Sequence, residues 1–278
     1  MTPATRWACT GALLGAVGAV TAFAPARWAA WALLQASQGR LVLSQSQGTV
    51  WSGQARITLT GGPGSRDALS LPGRLDWQWG WRLGRDGLGA RLSLQHSELM
   101  PAPVVLQWQP GIRQWTLSLP ARSPTLGPAA LPALMQWPAA WLTALGTPWN
   151  TLQPSGLLRL SSPGVSLHWA QGRFRLEGSV MLEATDIASR LSPLNRLGSY
   201  RVLVAGGEGA GESGAQAASL QLSTTDGALL LSGFGQWTGA RLRLRGEARA
   251  APGQEAALQN LLNLIGTRDG ARSILSIG

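Results

Sequence analysis

The feature of this sequence that most constrains its fold is the segment 74–83, in which apolar and polar residues alternate. Trp77, Trp79 and Trp81 fall on one side of an extended chain, with Leu75 and Leu83 beyond them. Successive side chains of a strand point to opposite faces, so the pattern predicts a long strand with one buried and one solvated face. A helix would distribute the three tryptophans around its axis. We predict that they line an apolar groove on a one-sided β-sheet.

The same alternation recurs through two regions, residues 39–123 and 154–278, where short apolar segments are separated by glycine and proline turns. Consecutive strands at short spacing predict antiparallel neighbours. The expected fold class is therefore all-β with minor helices, arranged as a curved antiparallel meander sheet or a flattened open barrel. The two halves are compatible with a loose duplication or with one continuous sheet.

Three segments depart from the strand pattern. Residues 124–153 are rich in alanine and proline and predict one or two short helices that break near Pro138. We favour a helical plug over the apolar face for this segment; the alternative is a membrane-dipping or partner-binding element. A short helical stretch is expected at 187–197. Leucines and isoleucine at 258, 261, 262 and 265 predict a C-terminal helix that Gly266 ends, followed by an apolar strand at 274–277.

The N-terminus carries eighteen uncharged residues, Trp7–Ala24. This length favours a signal anchor over a cleaved signal peptide, although small residues at 22–26 resemble a cleavage site. We expect a short cytoplasmic N-terminus at 1–6, a transmembrane anchor at 7–27 and a periplasmic β domain at 28–278. Trp28 and Trp31 would then lie at the membrane interface. The expected location is the inner membrane, crossed once.

The formal charge is +10, because 23 arginines are set against 13 acidic residues; the chain has no lysine. A strongly basic chain raises the possibility of a nucleic-acid partner. The arginines are dispersed and no RNA-binding motif is present, so we disfavour nucleic acid. Arg241, Arg243 and Arg245 alternate with leucines, and Arg173 and Arg175 flank a phenylalanine. These two rows should lie on an outer strand face, as a solvated surface or as a docking surface for an acidic partner.

Residues for catalysis are scarce. His96 and His168 are the only histidines, neither has metal-ligand spacing, and Cys9 is the single cysteine. The glycines at 206–211 lack the Lys-Ser/Thr of a phosphate-binding loop and predict a hairpin loop. His168 alternates with apolar neighbours and should face solvent. We therefore expect no enzyme, no metal, no cofactor and no small-molecule substrate, with lipid the one possible ligand.

Several segments resemble the type II secretion system protein N family. They are Gly48–Ala55, Leu222–Leu229, Gly239–Gly246 and the closing helix and strand at 258–278. The order and spacing of these segments carry the resemblance, because no single motif is diagnostic. The tryptophan content is higher than the family leads one to expect.

The resemblance implies an accessory, non-catalytic subunit of the Gram-negative type II secretion machinery. Such a subunit would be held in the inner membrane and would contact the inner-membrane platform or the outer-membrane secretin while folded proteins are exported. The family is also similar to periplasmic proteins whose curved sheets expose an apolar groove to lipid. A lipid-binding or lipid-conducting groove is therefore the alternative function.

Overall fold

The computed structural model describes residues 3–84, 87–120, 131–207, 218–238 and 241–277, and its main feature is one antiparallel sheet of sixteen strands. The helices are α1 Pro3–Ala22, α2 Ala26–Ala36, a 3₁₀ helix Ala139–Leu145, α3 Trp149–Leu152 and α4 Glu255–Ile265. The strands are β1 Leu41–Gly48, β2 Ser52–Thr60, β3 Ala68–Ser70, β4 Leu75–Gly84, β5 Gly87–His96, β6 Val104–Pro110, β7 Gln114–Leu119, β8 Ala133–Pro138, β9 Pro154–Ala170, β10 Arg173–Ser189, β11 Gly198–Ala205, β12 Ser219–Gly227, β13 Leu229–Thr238, β14 Arg241–Ala250, β15 Thr267–Asp269 and β16 Arg272–Ile277.

The sheet is a continuous meander. Its strand order is β1-β2-β4-β5-β6-β7-β9-β10-β11-β12-β13-β14-β16-β15, with β3 beside β2 and β8 beside β9. The two sequence halves meet where β7, the last strand of the first half, pairs with the 17-residue strand β9. The chain therefore forms one continuous open sheet, which is one of the two arrangements that the sequence allows.

Because neighbouring strands are antiparallel, alternate hairpin turns collect at the same end of the sheet. The turns at 49–51, 111–113 and 171–172 define one end, which we call the rim. We call the opposite end the closed end. It holds the start of β4, the end of β5, and the segment 131–152.

The sheet curls around its apolar face. The 3₁₀ helix 139–145 contacts β2 and β3 and also β9. In a flat sheet, five strand steps would separate β2 from β9 by about 24 Å, whereas a seven-residue 3₁₀ helix is about 14 Å long. Asn150 Nδ2 also donates a hydrogen bond of 3.2 Å to Asp67 Oδ2, across the same gap. The predicted curvature follows from these contacts.

Two of the predicted helical segments differ from the prediction. Within 124–153, residues 124–130 lie outside the described ranges, the strand β8 comes first, and the short helices begin only after Pro138. Met135 and Trp137 of β8 alternate and pair with β9, which explains the strand. The helix expected at 187–197 is wrong: β10 continues to Ser189, and turns and bends follow.

The segment 131–152 and two helices pack on parts of the apolar face. Leu134, Met135, Trp137 and Trp141 pack with residues of β2, β5 and β6 at the closed end. The C-terminal helix α4 buries Leu258, Leu261 and Leu262 against Leu229 and Ala248. The sequence did not predict α2, which packs along β1 and β2 with Ala26 buried against Ala55 and Trp77.

Gly266 ends α4 as predicted, but the reason is different. Its φ is −168°, an extended conformation that any residue adopts, so no left-handed cap is required. A Cβ atom at this position would lie 2.5 Å from the carbonyl oxygen of Ile274. The glycine is therefore needed for the close approach of the helix end to β16.

The N-terminal helix α1 differs from the other helices in its exposure to solvent. Every α1 residue whose exposure is described is solvent-exposed. Across the ranges that the structure describes, no helix is both long enough and apolar enough to cross a membrane. The α1 segment ends at Ala22, and Trp51 Nε1 of the first rim turn donates a 2.8 Å hydrogen bond to the Thr21 carbonyl.

Candidate functional site: the apolar face and the outer arginine rows

The apolar face is continuous because the strand registers align apolar residues across neighbouring strands. Trp77 is opposite Leu94, Trp79 opposite Leu92, and Trp81 opposite Ala90. Further pairs continue the same rows through β6, β7, β9 and β10: Leu92 with Leu106, Ala90 with Trp108, Trp108 with Leu117, Leu117 with Leu167, and Leu167 with Leu176. The period-two pattern of the sequence is therefore a real surface of the folded chain.

The three tryptophans of β4 have different environments along this face. Trp77 is 7% exposed and Trp81 is 59% exposed, with Trp79 half-buried between them. The Trp77 indole N–H is directed at the carbonyl oxygens of Thr49 and Val50, at 3.2 and 3.0 Å. A Cβ atom on Gly53 would lie 2.6 Å from the Trp77 ring. Trp77 therefore belongs to the core under α2, and of the three predicted groove residues Trp81 is the most accessible.

A second aromatic cluster lies at the rim, across β7, β9 and β10. The rings of Trp115 and Trp169 are stacked at 6.4 Å, and Phe174 meets Trp115 edge-on at 6.0 Å. A depression of about 460 Å³ beside them is lined by Trp108, Ile112, Arg113, Trp115 and Trp169 among others. Sequence reasoning placed these tryptophans on strands but did not select them as site residues. Their common position is visible only once the hairpin registers are known.

The predicted arginine rows lie on the outer face, opposite the apolar residues. Arg243 and Arg245 alternate with half-buried leucines of β14, and Arg173 and Arg175 flank Phe174 of β10. Arg241 lies on the same row by position, although its side chain is outside the described part. Four strand steps, about 19 Å, separate the two rows, so the structure does not join them into one row.

The two rows differ in their ion pairing. Arg175 Nη1 lies 3.8 Å from Glu177 Oε1, while Arg173, Arg243 and Arg245 form no salt bridge within the described ranges. Some exposed arginines elsewhere are neutralised, such as Arg196, which lies 2.6 Å from Asp186 and 2.8 Å from Asp226. Three solvated cations without acidic partners leave the outer face positively charged, as a docking surface for an acidic partner requires.

The two histidines occupy opposite faces. His168 lies on the outer face as predicted, with Nδ1 at 3.0 Å from the Thr116 hydroxyl and Nε2 at 3.2 Å from Glu177. His96 follows Leu94 on the apolar face and is fully buried. Its Nδ1 accepts hydrogen bonds from the backbone N–H groups of Glu98 and Leu99 at 3.2 and 3.3 Å. Among the residues described, no three His, Cys, Asp or Glu side chains are grouped as metal ligands would be.

The buried histidine makes stability depend on pH. Burial lowers the pKa of His96 below its usual 6.5, and the nearby Glu98 and Asp76 oppose this shift. Between the folded pKa and pH 6.5, His96 is therefore protonated in the unfolded chain and neutral in the folded chain. The stabilisation is complete above pH 6.5 and is lost as the pH falls through the folded pKa. We expect the free energy of unfolding to fall by at most about 1.4 kcal/mol per pH unit in that window.

Urea unfolding between pH 7.5 and 5.5 measures this dependence. His96→Asn keeps an acceptor near the position of Nδ1 and removes the titration, so it should flatten the slope. A slope that is the same in His96→Asn and in the native chain would show that another group is responsible.

Comparison with known proteins identifies the family. No curated protein and no solved structure matches the chain significantly. The sequence model of the family described as type II secretion system protein N matches residues 39–275, from the start of the sheet into its last strand. The match includes β1 to β15, α4 and most of β16, so it covers the apolar face and both arginine rows. The chain belongs to the type II secretion system protein N family, whose members are accessory components of protein secretion.

Proposed function

We propose that this protein is a non-catalytic accessory subunit that assists the export of folded proteins across the outer membrane. In this proposal the outer face of the sheet contacts acidic surfaces of the inner-membrane platform or of the secretin. The observation that carries the proposal is the unpaired positive charge of Arg173, Arg243 and Arg245 on the solvated face. Charges of this kind direct the association of proteins and select complementary partners.

The coverage of the apolar face also supports this role. Segment 131–152, α2 and α4 fill the face at the closed end and at both edges of the sheet. Where the chain itself covers the apolar side, the outer side is the one left for partners.

We further propose that residues 7–27 attach the chain to the inner membrane and that the sheet lies in the periplasm. The uncharged run Trp7–Ala24 and the exposure of every α1 residue whose burial is described support this placement. The attachment would end within the first turn of α2, because Ala26 is already buried against the sheet. The remainder of α2 therefore belongs to the folded domain.

Site-specific photo-crosslinking in secreting cells tests the proposed contacts. A crosslinking residue at position 243 or 245 should form adducts with platform or secretin subunits. The same residue at Gln78, which is exposed on the outer face of the distant β4, is the matched control. Arg243→Glu together with Arg245→Glu should weaken the affinity for the partner by roughly tenfold or more, because the new carboxylates would repel an acidic surface. A tenfold loss of affinity corresponds to about 1.4 kcal/mol.

Secretion of a reporter exoprotein should fall in the charge-reversed variant at an unchanged cellular level of the protein. Equal adducts at positions 243 and 78 would contradict the proposal. Normal secretion by the charge-reversed variant would contradict it as well.

A lipid-binding or lipid-conducting groove is the second candidate function. It is favoured by the rim half of the apolar face, where the depression beside Trp108, Trp115 and Trp169 is open. Native mass spectrometry of the detergent-extracted protein separates the two candidates. Stoichiometric bound phospholipid favours the groove, and lipid-free protein favours the scaffold.

A further inference from the structure

The rim carries the most exposed apolar side chains of the sheet. Ile112 at the β6–β7 turn is 101% exposed, and Leu83 at the end of β4 is 83% exposed. Trp81, Leu88 and Phe174, also near rim turns, are each more than half exposed. A folded protein rarely leaves apolar residues of this size exposed on neighbouring strands unless they contact a partner or a membrane.

The same end of the sheet is positively charged. Arg82 lies beside Leu83, Arg113 beside Ile112, and Arg173 beside Phe174. All three side chains are exposed, and none forms a salt bridge with any residue that the structure describes. Ile112, Leu83 and Phe174 therefore each have next to them an arginine that is unpaired among the described residues. This combination matches a bilayer interface, where apolar side chains enter the acyl boundary and arginines contact phosphates.

The rim is also the place where α1 leaves the sheet. Thr21 near the end of α1 accepts the hydrogen bond of Trp51, and the Trp51 ring lies 5.7 Å from that of Trp81. The exposed apolar helix and the exposed apolar rim are thus contiguous. The closed end also carries arginines, but two of them are compensated there: Arg196 pairs with Asp226, and Arg272 pairs with Asp269.

We propose that the rim is a membrane-contact surface that sits on an anionic phospholipid bilayer. Ile112, Leu83 and Phe174 enter the interfacial layer, while Arg82, Arg113 and Arg173 bind lipid phosphates. This inference goes beyond the proposed function, because it concerns the end of the sheet; Arg173 is the one residue that the two proposed surfaces share. It would stand if no contact with secretion subunits were found.

Depth-dependent quenching in nanodiscs tests the proposal on the full-length chain. The single native cysteine is removed by Cys9→Ala, and an environment-sensitive fluorophore is attached through Ile112→Cys. Leu191→Cys, exposed at the closed-end turn between β10 and β11, is the matched control. Because α1 leaves the sheet at the rim, attachment through α1 alone would also bring position 112 nearer the bilayer than position 191. The dependence of quenching at 112 on lipid charge and on the rim arginines therefore separates rim contact from tethering. Both positions are in exposed turns, and circular dichroism checks that the labelled chains fold.

In discs that contain phosphatidylglycerol, lipids with a nitroxide at the headgroup or upper acyl chain should quench the label at 112 several-fold more than the label at 191. Each arginine near an anionic surface contributes roughly a fivefold factor to membrane affinity. The double substitution Arg113→Gln and Arg173→Gln should therefore reduce the fraction of molecules whose rim contacts the bilayer by roughly 25-fold at most. Salt near 1 M should act in the same direction, because it shortens the Debye length to about 3 Å.

Three results would overturn the proposal. The first is equal quenching at 112 and 191, which would mean that the rim has no preferred contact with the bilayer. The second is quenching at 112 that is the same in purely phosphatidylcholine discs and unaffected by the arginine substitutions. The third is a label at 112 that remains unquenched by lipid and instead is protected by a secretion subunit, which would make the rim a protein interface.

Discussion

Replacing Trp77 by alanine is expected to lower the free energy of unfolding by about 3–5 kcal/mol, the usual cost of deleting a buried aromatic side chain. Trp77 is 7% exposed and packs between Ala26 of α2 and Ala55 of β2. Its loss would leave a cavity under α2. It would also remove the indole N–H that contacts the Thr49 and Val50 carbonyls in the β1–β2 turn.

Urea denaturation followed by circular dichroism measures this effect. Trp81→Ala is the matched control, because Trp81 lies on the same face of the same strand and is 59% exposed. It should cost about 1 kcal/mol or less. The position of the residue along the strand, rather than its chemical type, would then decide its role. Similar losses for the two variants would contradict the view that α2 covers only the inner part of the tryptophan row.

The tryptophan strand shows which parts of the fold are readable from sequence. The period-two alternation correctly predicted the strand at 75–84, its apolar face and its antiparallel neighbours. The alternation carries no information on what covers that face, because covering depends on distant segments. The burial of Trp77 and the exposure of Trp81 could therefore not be separated, and α2 was not predicted.

The position of His96 on the apolar face can be read from the alternation of residues in its strand. It continues the alternation of Leu92 and Leu94, so the pattern places it on the apolar face. Metal-ligand spacing carries no information on which face of the strand a histidine occupies. The segment 131–138 is the opposite case: alanine and proline there indicate helix by composition, while pairing with β9 imposes a strand. Tertiary pairing overrides local preference in a short segment.

The candidate surfaces depend even more on long-range register. The arginine rows are visible in the sequence because each lies within one strand. The aromatic cluster at the rim joins β7, β9 and β10, and the approach of Trp115, Trp169 and Phe174 follows only from the pairings between these strands. Sequence reasoning can therefore find a row along a strand and miss a row across strands.

Replacing Leu262 by alanine is expected to release the C-terminal helix from the sheet at a cost of about 2–5 kcal/mol. Leu262 is 1% exposed and packs with Leu229 and Ala248 in the core beneath α4. Its carbonyl oxygen also accepts a 2.6 Å hydrogen bond from the buried Ser273 hydroxyl of β16. The helix is therefore held by apolar burial and by one buried polar contact.

Leu264→Ala offers a strict control because Leu264 is in the same helix and is 56% exposed. The two substitutions change helix propensity equally, so a difference between them reports packing alone. Leu264→Ala should change the free energy of unfolding by less than about 0.5 kcal/mol. If α4 covers the apolar face, Leu262→Ala should also increase binding of a hydrophobic dye under native conditions. Equal stability losses and no added dye binding would mean that the sheet is closed without α4, and the covering role would then fall to segment 131–152 and α2.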